Sequence, residues 1–310
     1  MVKAVGKGSW KSLGSRQHCP KGTQVGPSRV YPGLPYKVVT MSLRVLLIWL
    51  FALALQAAGL GFSKVGAGPG VLLIHGFGGN KEVWAGVAAD LARDHTVLSV
   101  DLPGSGGTTG PVVVEGRADF GALAKELAAL VRKEGLAPCL VVGHSMGGPI
   151  AGRTVLEDPT AFRGLVLVDS FLGALPEAYM EPTAQGLDGD PATALSIFFA
   201  LMTTGPEQTR PMVAEALRVP VPALQAYLRA LTRDPLVGRH RELRLPVVQF
   251  ASGPRETDPT RAAAILVQFG FKDLPAFKSL SFPGTKHWVM LDAPESFLLA
   301  LRAFEAGLGR

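Results

Sequence analysis

Short β-branched runs alternating with longer helical patterns constrain this chain more than any other feature, because such alternation marks a mostly parallel sheet covered by helices on both faces. The strand candidates are residues 71–75, 96–101, 139–143, 165–169, 247–251 and 279–282, with room for one short strand at 62–65. Between them lie helical patterns such as 119–133, where Phe120, Leu123, Leu127 and Leu130 recur at helical spacing and Asp119 is placed to cap the start. The alternation breaks once. From 171 to 245 no convincing strand occurs, while helical patterns appear near 192–202, 211–217 and 222–231. That interval is too long for a connecting loop, so it is expected to be a helical cap inserted into a core formed by 60–170 and 246–310. The apolar run Ile197-Phe198-Phe199-Ala200-Leu201-Met202 is expected either to line a substrate pocket or to form the cap's own core.

A formal charge of +6 would point to a polyanionic partner if it were spread over the chain. It is not, since residues 1–60 hold eight Lys or Arg and no acid; taking these from 31 leaves 23 basic against 25 acidic residues. The remainder is slightly negative and carries no argument for nucleic acid. Within the leader, Met41-Ser42-Leu43-Arg44 precedes an apolar run at 45–55 and the small residues Ala57, Ala58 and Gly59, the layout of a secretory signal peptide. Residues 41–59 are therefore expected to export the protein to the periplasm or beyond. The alternative is a retained hydrophobic helix that tethers it to a membrane through 45–58. Residues 1–40, rich in Gly, Pro, Ser and Lys, read as a disordered basic extension or as sequence that precedes the native start at Met41. Two cysteines, Cys19 and Cys139, make no disulfide framework.

The chemistry is carried by Gly143-His144-Ser145-Met146-Gly147-Gly148, which follows the apolar strand at 139–142 and precedes a helical pattern. Gly-x-Ser-x-Gly between strand and helix is a nucleophile elbow: the sharp turn holds Ser145 in strained backbone angles, and side chains at 143 and 147 would collide with backbone. A serine hydroxyl needs a base to take its proton. Of six histidines, His18 lies in the leader, His95 in a charged turn, His240 between two arginines of the cap; His75 ends a strand with a different task, and the side chain of His144 is expected to point away from its neighbour Ser145. His287, in the loop after the last strand, is the one placed at the carboxyl end of the sheet with the elbow.

These blocks resemble the α/β-hydrolase superfamily, particularly its cap-bearing esterase and lipase-like members. His75-Gly76-Phe77-Gly78-Gly79 resembles the family's oxyanion loop, Asp101-Leu102-Pro103-Gly104-Ser105-Gly106 a second characteristic loop, and Gly284-Thr285-Lys286-His287 with Pro294-Glu295-Ser296-Phe297 the terminal histidine segment. The resemblance implies the α/β-hydrolase fold, a Ser145–His287 pair, and an oxyanion hole made by the N–H groups of Met146 and Phe77. It also implies a carboxylate after the strand at 247–251, where Asp258 and Glu256 both qualify; Asp169, at the end of the preceding strand, is a third candidate ranked after them. Asp101 and Gly104 read as structural. The family normally opens with a β-hairpin, for which the sequence after the leader has little room. The expected activity is hydrolysis of a small-molecule carboxylic ester of a small or medium apolar acyl group, as in a carboxylesterase. The rivals on the same triad are an amidase, a lactonase, a carbon–carbon bond hydrolase and a perhydrolase; the rival of another class is an inactive hydrolase-fold binding protein. A dehalogenase would place Asp where Ser145 stands. No metal or cofactor is implied, since no His/Cys/carboxylate cluster has ligand spacing, and oligomeric state is not legible.

Overall fold

A computed structural model describes residues 60–233, 236 and 238–308; the signal-peptide, membrane-tether and extension readings of 1–59 lie outside them. The chain runs through β1 (Gly61–Val65), β2 (Gly70–Ile74), α1 (Ala85–Leu91), β3 (Thr96–Asp101), the short hairpin β4 (Val113–Val114) and β5 (Arg117–Ala118), α2 (Phe120–Lys133), β6 (Cys139–His144), α3 (Gly147–Glu157) and β7 (Phe162–Val168). Four helices follow, α4 (Glu177–Gly189), α5 (Pro191–Ala200), α6 (Pro206–Ala216) and α7 (Val221–Arg233), then β8 (Val247–Ser252), α8 (Pro259–Gln268), β9 (Phe277–Phe282), α9 (Val289–Asp292) and α10 (Pro294–Ala306). Among the described residues the main sheet has the order β1-β3-β2-β6-β7-β8-β9. All its pairings are parallel except β1 with β3, which run antiparallel. This is the α/β-hydrolase fold, a mostly parallel sheet flanked by helices.

The central strands explain their own position. Gly-Val-Leu-Leu-Ile of β2 and Cys-Leu-Val-Val-Gly-His of β6 are buried at every residue, as strands covered on both faces must be. Asp119 caps α2 by accepting from the N–H groups of Gly121 and Ala122. Asp190 caps α5 in the same way through Thr193. Helix α4, which carries Pro182 internally, has no counterpart among the helical patterns legible in the sequence. The four inserted helices lie over the carboxyl ends of the strands: Phe198 packs edge-on against Phe77 at 5.4 Å, Tyr227 Oη donates to the Pro103 carbonyl at 2.8 Å, and the His287 N–H donates to the Met202 carbonyl at 3.0 Å. Among the described residues no helix is long and apolar enough to cross a membrane.

Two loops at that end are tied together by His75. Its Nε2 accepts from the Leu102 N–H at 3.0 Å, so the proton is on Nδ1, which donates to the Gly76 carbonyl at 2.7 Å. Lys81 braces the same region by bonding Asp101 through both its backbone N–H at 2.8 Å and its ammonium at 2.7 Å. Asp101 is thus structural. Burial lowers the His75 pKa to about 4, because the charged ring would lose its hydration there, and a second ring proton would also face the Leu102 N–H. The unfolded chain binds that proton near pH 6.5 and the folded chain does not. Stability is therefore full above about pH 6.5 and falls as the pH drops toward 4, by about 3 kcal/mol for His75 alone. Urea unfolding at pH 7.5 and pH 5 should show the loss, and the His75 ring should stay neutral by NMR at pH 5; an unfolding midpoint that does not move between the two would contradict the buried neutral ring.

Candidate active site

The nucleophile turn is built by two glycines. A Cβ on Gly143 would lie 2.3 Å from the Gly147 carbonyl oxygen, and one on Gly147 would lie 2.6 Å from that of Ile74. Both contacts are with backbone, so neither can be relieved by a rotamer. The packing between β6, α3 and β2 leaves Ser145 at φ 51°, a conformation L-residues with a Cβ adopt at a cost. Its N–H donates to the Val168 carbonyl at 3.0 Å, and its own carbonyl accepts from Ser170 Oγ at 2.5 Å. The seryl residue is therefore held at the end of β7 as well as β6.

Asp169 leaves the end of β7 beside it, also with positive φ, 42°. One carboxylate oxygen, Oδ2, is 2.7 Å from His287 Nδ1, while Oδ1 accepts from the Ser252 N–H at 2.8 Å. Burial opposes ionisation of this carboxyl, but the bonds from His287 and Ser252 outweigh it and hold its pKa below the ordinary value. The proton shared with Asp169 is on Nδ1, which turns the Nε2 lone pair outward.

Of the three acid candidates, then, the geometry puts Asp169 on the imidazole and occupies the other two elsewhere. Asp258 caps α8, accepting from the Arg261 N–H at 2.8 Å. Glu256 pairs with the Arg261 guanidinium at 3.1 Å and accepts from the Asp258 N–H at 2.8 Å. The order that puts Asp258 and Glu256 ahead of Asp169 is not the order of contact with His287, because the acidic loop after β8 folds onto the start of its own helix.

His144 also belongs to this site. Its ring lies 4.6 Å from that of His287, centroid to centroid, and its Nε2 donates to the His287 carbonyl at 3.0 Å. Burial pushes its pKa well below the ordinary value, as does the neighbouring His287. The loop bearing His287 lies against the end of β6, where it meets the His144 ring. His95 is engaged elsewhere, with Nε2 2.8 Å from Glu305.

Ser145, Asp169, His287 and Phe77 line one cavity of about 670 Å³. No hydrogen bond joins the Ser145 hydroxyl to His287 in this structure. Phe198 and Met202 contribute to the cavity wall, whereas Phe199 is buried and Ile197 and Leu201 are exposed, so the apolar run of the insertion divides between pocket and packing. No acceptor for the N–H groups of Phe77 and Met146 is found among the described residues. Ser170, Ser252 and His144 are site residues the sequence reading did not single out. Only position distinguishes them, Ser170 and Ser252 at strand ends and His144 beside the nucleophile.

A layered sheet with a strained serine at a strand-to-helix turn and a carboxylate–imidazole pair opening on the same cavity defines a hydrolase-fold protein. The family model "Alpha/beta hydrolase family" matches residues 71–300, and the chain belongs to that family. It is 32% identical over 256 residues to a pimeloyl-[acyl-carrier protein] methyl ester esterase from Chromobacterium violaceum, covering 76% of this chain and 94% of that protein. A fluoroacetate dehalogenase from Burkholderia is 39% identical, over 34% of this chain and 35% of its own length. Among solved structures, an esterase from Exiguobacterium antarcticum superposes with a TM-score of 0.70 at 16% identity, covering 80% of this chain and 97% of that one; this likeness concerns the fold.

Replacing Gly143 with Ala should cost about 3 kcal/mol or more, because the new methyl meets fixed backbone. Gly189→Ala, where nothing lies within 4 Å, is the control. Equal urea midpoints for the two variants would show that the turn is not close-packed.

Proposed function

We propose that this protein is a serine esterase that cleaves a small-molecule carboxylic ester of an apolar acyl group through an acyl-enzyme. The observation that carries the reading is the 2.7 Å Asp169–His287 pair facing the same cavity as a serine held at positive φ. In this mechanism the Ser145 hydroxyl attacks the ester carbonyl as its proton passes to His287 Nε2. Asp169, ionised and bonded to Nδ1, fixes the ring and stabilises the imidazolium that forms. The negative charge on the former carbonyl oxygen is met by the N–H groups of Met146 and Phe77. His287 then returns the proton to the departing alkoxide, leaving the acyl group on Ser145. Water, losing a proton to His287, attacks that acyl group and releases the carboxylic acid and the free serine.

A relative that covers 76% of this chain is named as a methyl ester esterase, which favours an ester over the amide, lactone, carbon–carbon and peracid alternatives. Dehalogenation is disfavoured because Ser145 stands where that chemistry would place Asp. The carboxylate of Asp169 beside His287 disfavours an inactive binding protein. An export leader at 41–59 forms part of this reading, supported by its basic start, apolar run and small-residue end; amino-terminal sequencing of protein recovered outside the cytoplasm should begin near Gly59.

A fluorophosphonate probe should label wild-type protein on Ser145 and leave Ser145→Ala unlabelled; no labelling of folded protein removes the proposal. Asp169→Asn should lower kcat on p-nitrophenyl acetate by about a thousandfold or more. Asp258→Asn and Glu256→Gln should keep catalysis near the wild-type rate. A collapse of kcat in either of those two with Asp169→Asn active would return the acid to the loop after β8.

A further inference from the structure

Helix α8 occupies the place where a helix would cover the β8–β9 end of the sheet, yet none of its ten residues is buried. Ile265 and Leu266 remain 38% and 36% exposed. Its far end is nevertheless tied to the insertion's first residues: the Phe269 carbonyl accepts from the N–H groups of Leu172 at 2.8 Å and Gly173 at 3.1 Å. A helix tied at its far end and unpacked along its length leaves a groove beneath it, and that groove is continuous with the cavity holding Ser145 and His287. Its floor is one face of two paired strands, with Ala251 opposite Ser281 and Gln249 opposite Ser279. Apart from Gln249 these side chains are too small to fill the space. The deep end is closed by Phe271 stacked on Phe277 at 4.7 Å.

We propose that this groove binds a straight alkyl chain of the ester, running from Ser145 past Ser281 and Ser279 beneath Ile265 to the Phe271–Phe277 stack. The inference rests on the assignment of Ser145 as nucleophile. The length follows from the strand: Ser281 to Phe277 is four residue steps, about 13 Å at roughly 3.3 Å per residue, the reach of an extended chain of about ten carbons. The chemical class follows from the wall. Apolar helix residues that the fold leaves half-exposed lose contact with water when an alkyl chain lies against them, a gain that accumulates with each methylene.

Two measurements separate this groove from the reaction. Binding of 1-decanol and 1-butanol to Ser145→Ala protein, followed by calorimetry, reads the groove without turnover. Decanol should bind at least about tenfold more tightly than butanol. Adding Ser279→Phe, which fills the groove from an exposed position, or Ile265→Ser, which makes its wall polar, should reduce that preference at least severalfold; two such variants guard against one folding poorly. In the active enzyme, methyl decanoate against methyl acetate and decyl acetate against methyl acetate show whether the chain enters from the acyl or the alcohol side. One ratio of kcat/KM should exceed unity by about tenfold or more and fall in both variants. Equal binding of the two alcohols, or a preference unchanged in both variants, overturns the proposal. Tight decanol binding in a protein whose Ser145 resists fluorophosphonate would instead keep the groove and remove the esterase.

Discussion

Two adjacent parallel strands ending at the same level are the constraint on which the site depends. The register of β6 on β7 sets His144 against Val168, so the next residue on each strand, Ser145 and Asp169, leaves the sheet beside the other. Both take positive φ, 51° and 42°, which turns each chain sharply out of the strand direction. Strain of this kind persists only where the surroundings over-determine it. Here they do: Ser145 N–H is bonded to the Val168 carbonyl, Ser170 Oγ to the Ser145 carbonyl, and Ser252 N–H to the Asp169 carboxylate. The seryl backbone and the carboxylate are positioned by hydrogen bonds among the ends of β6, β7 and β8, before any substrate is present.

How far the sequence disclosed this depends on how local each feature is. The elbow was legible because it is steric and local: Gly143 and Gly147 are required by contacts within one strand, one turn and the neighbouring β2. The placement of His287 on the cavity at the carboxyl end of the sheet was legible from its position after the last strand. The carboxylate was not, because three acids stand at strand ends or just beyond, and only tertiary packing decides which one meets the imidazole. Asp258 and Glu256 bond within 254–261, a local choice that their spacing to Arg261 could have signalled. Among the helices, α2 was legible from its cap and apolar stripe, whereas α4 carries Pro182 and buries only Ala184 and Leu187, too little periodicity to read.

The inserted helices and the histidine loop form one mechanical unit. Met202, after α5, accepts the His287 N–H. Gln208, on α6, donates to Asp292 Oδ1 at 2.7 Å, and the other Asp292 oxygen accepts the Lys286 N–H at 2.7 Å. The backbone of His287 and of the residue before it is thus bonded, directly or through Asp292, to the insertion. An insertion that swung freely would pull on the proposed base. The groove under α8 offers an approach to Ser145 that does not require such a swing.

Electrostatics completes the reasoning for His144. A catalytic imidazole must be able to take a proton and become positive, and a second positive ring 4.6 Å away would oppose that. His144 avoids the conflict by being buried, which holds its pKa well below the ordinary value, and by spending its one ring proton on the His287 carbonyl. Its other nitrogen, Nδ1, is buried with no hydrogen-bond partner among the described residues, and a Cβ on Gly76 would lie 2.9 Å from that atom. An unpartnered buried acceptor costs free energy. The arrangement therefore trades some stability for a neutral ring that packs against the proposed base without competing with it for a proton, and leaves Asp169 as the charged group in contact with the imidazole.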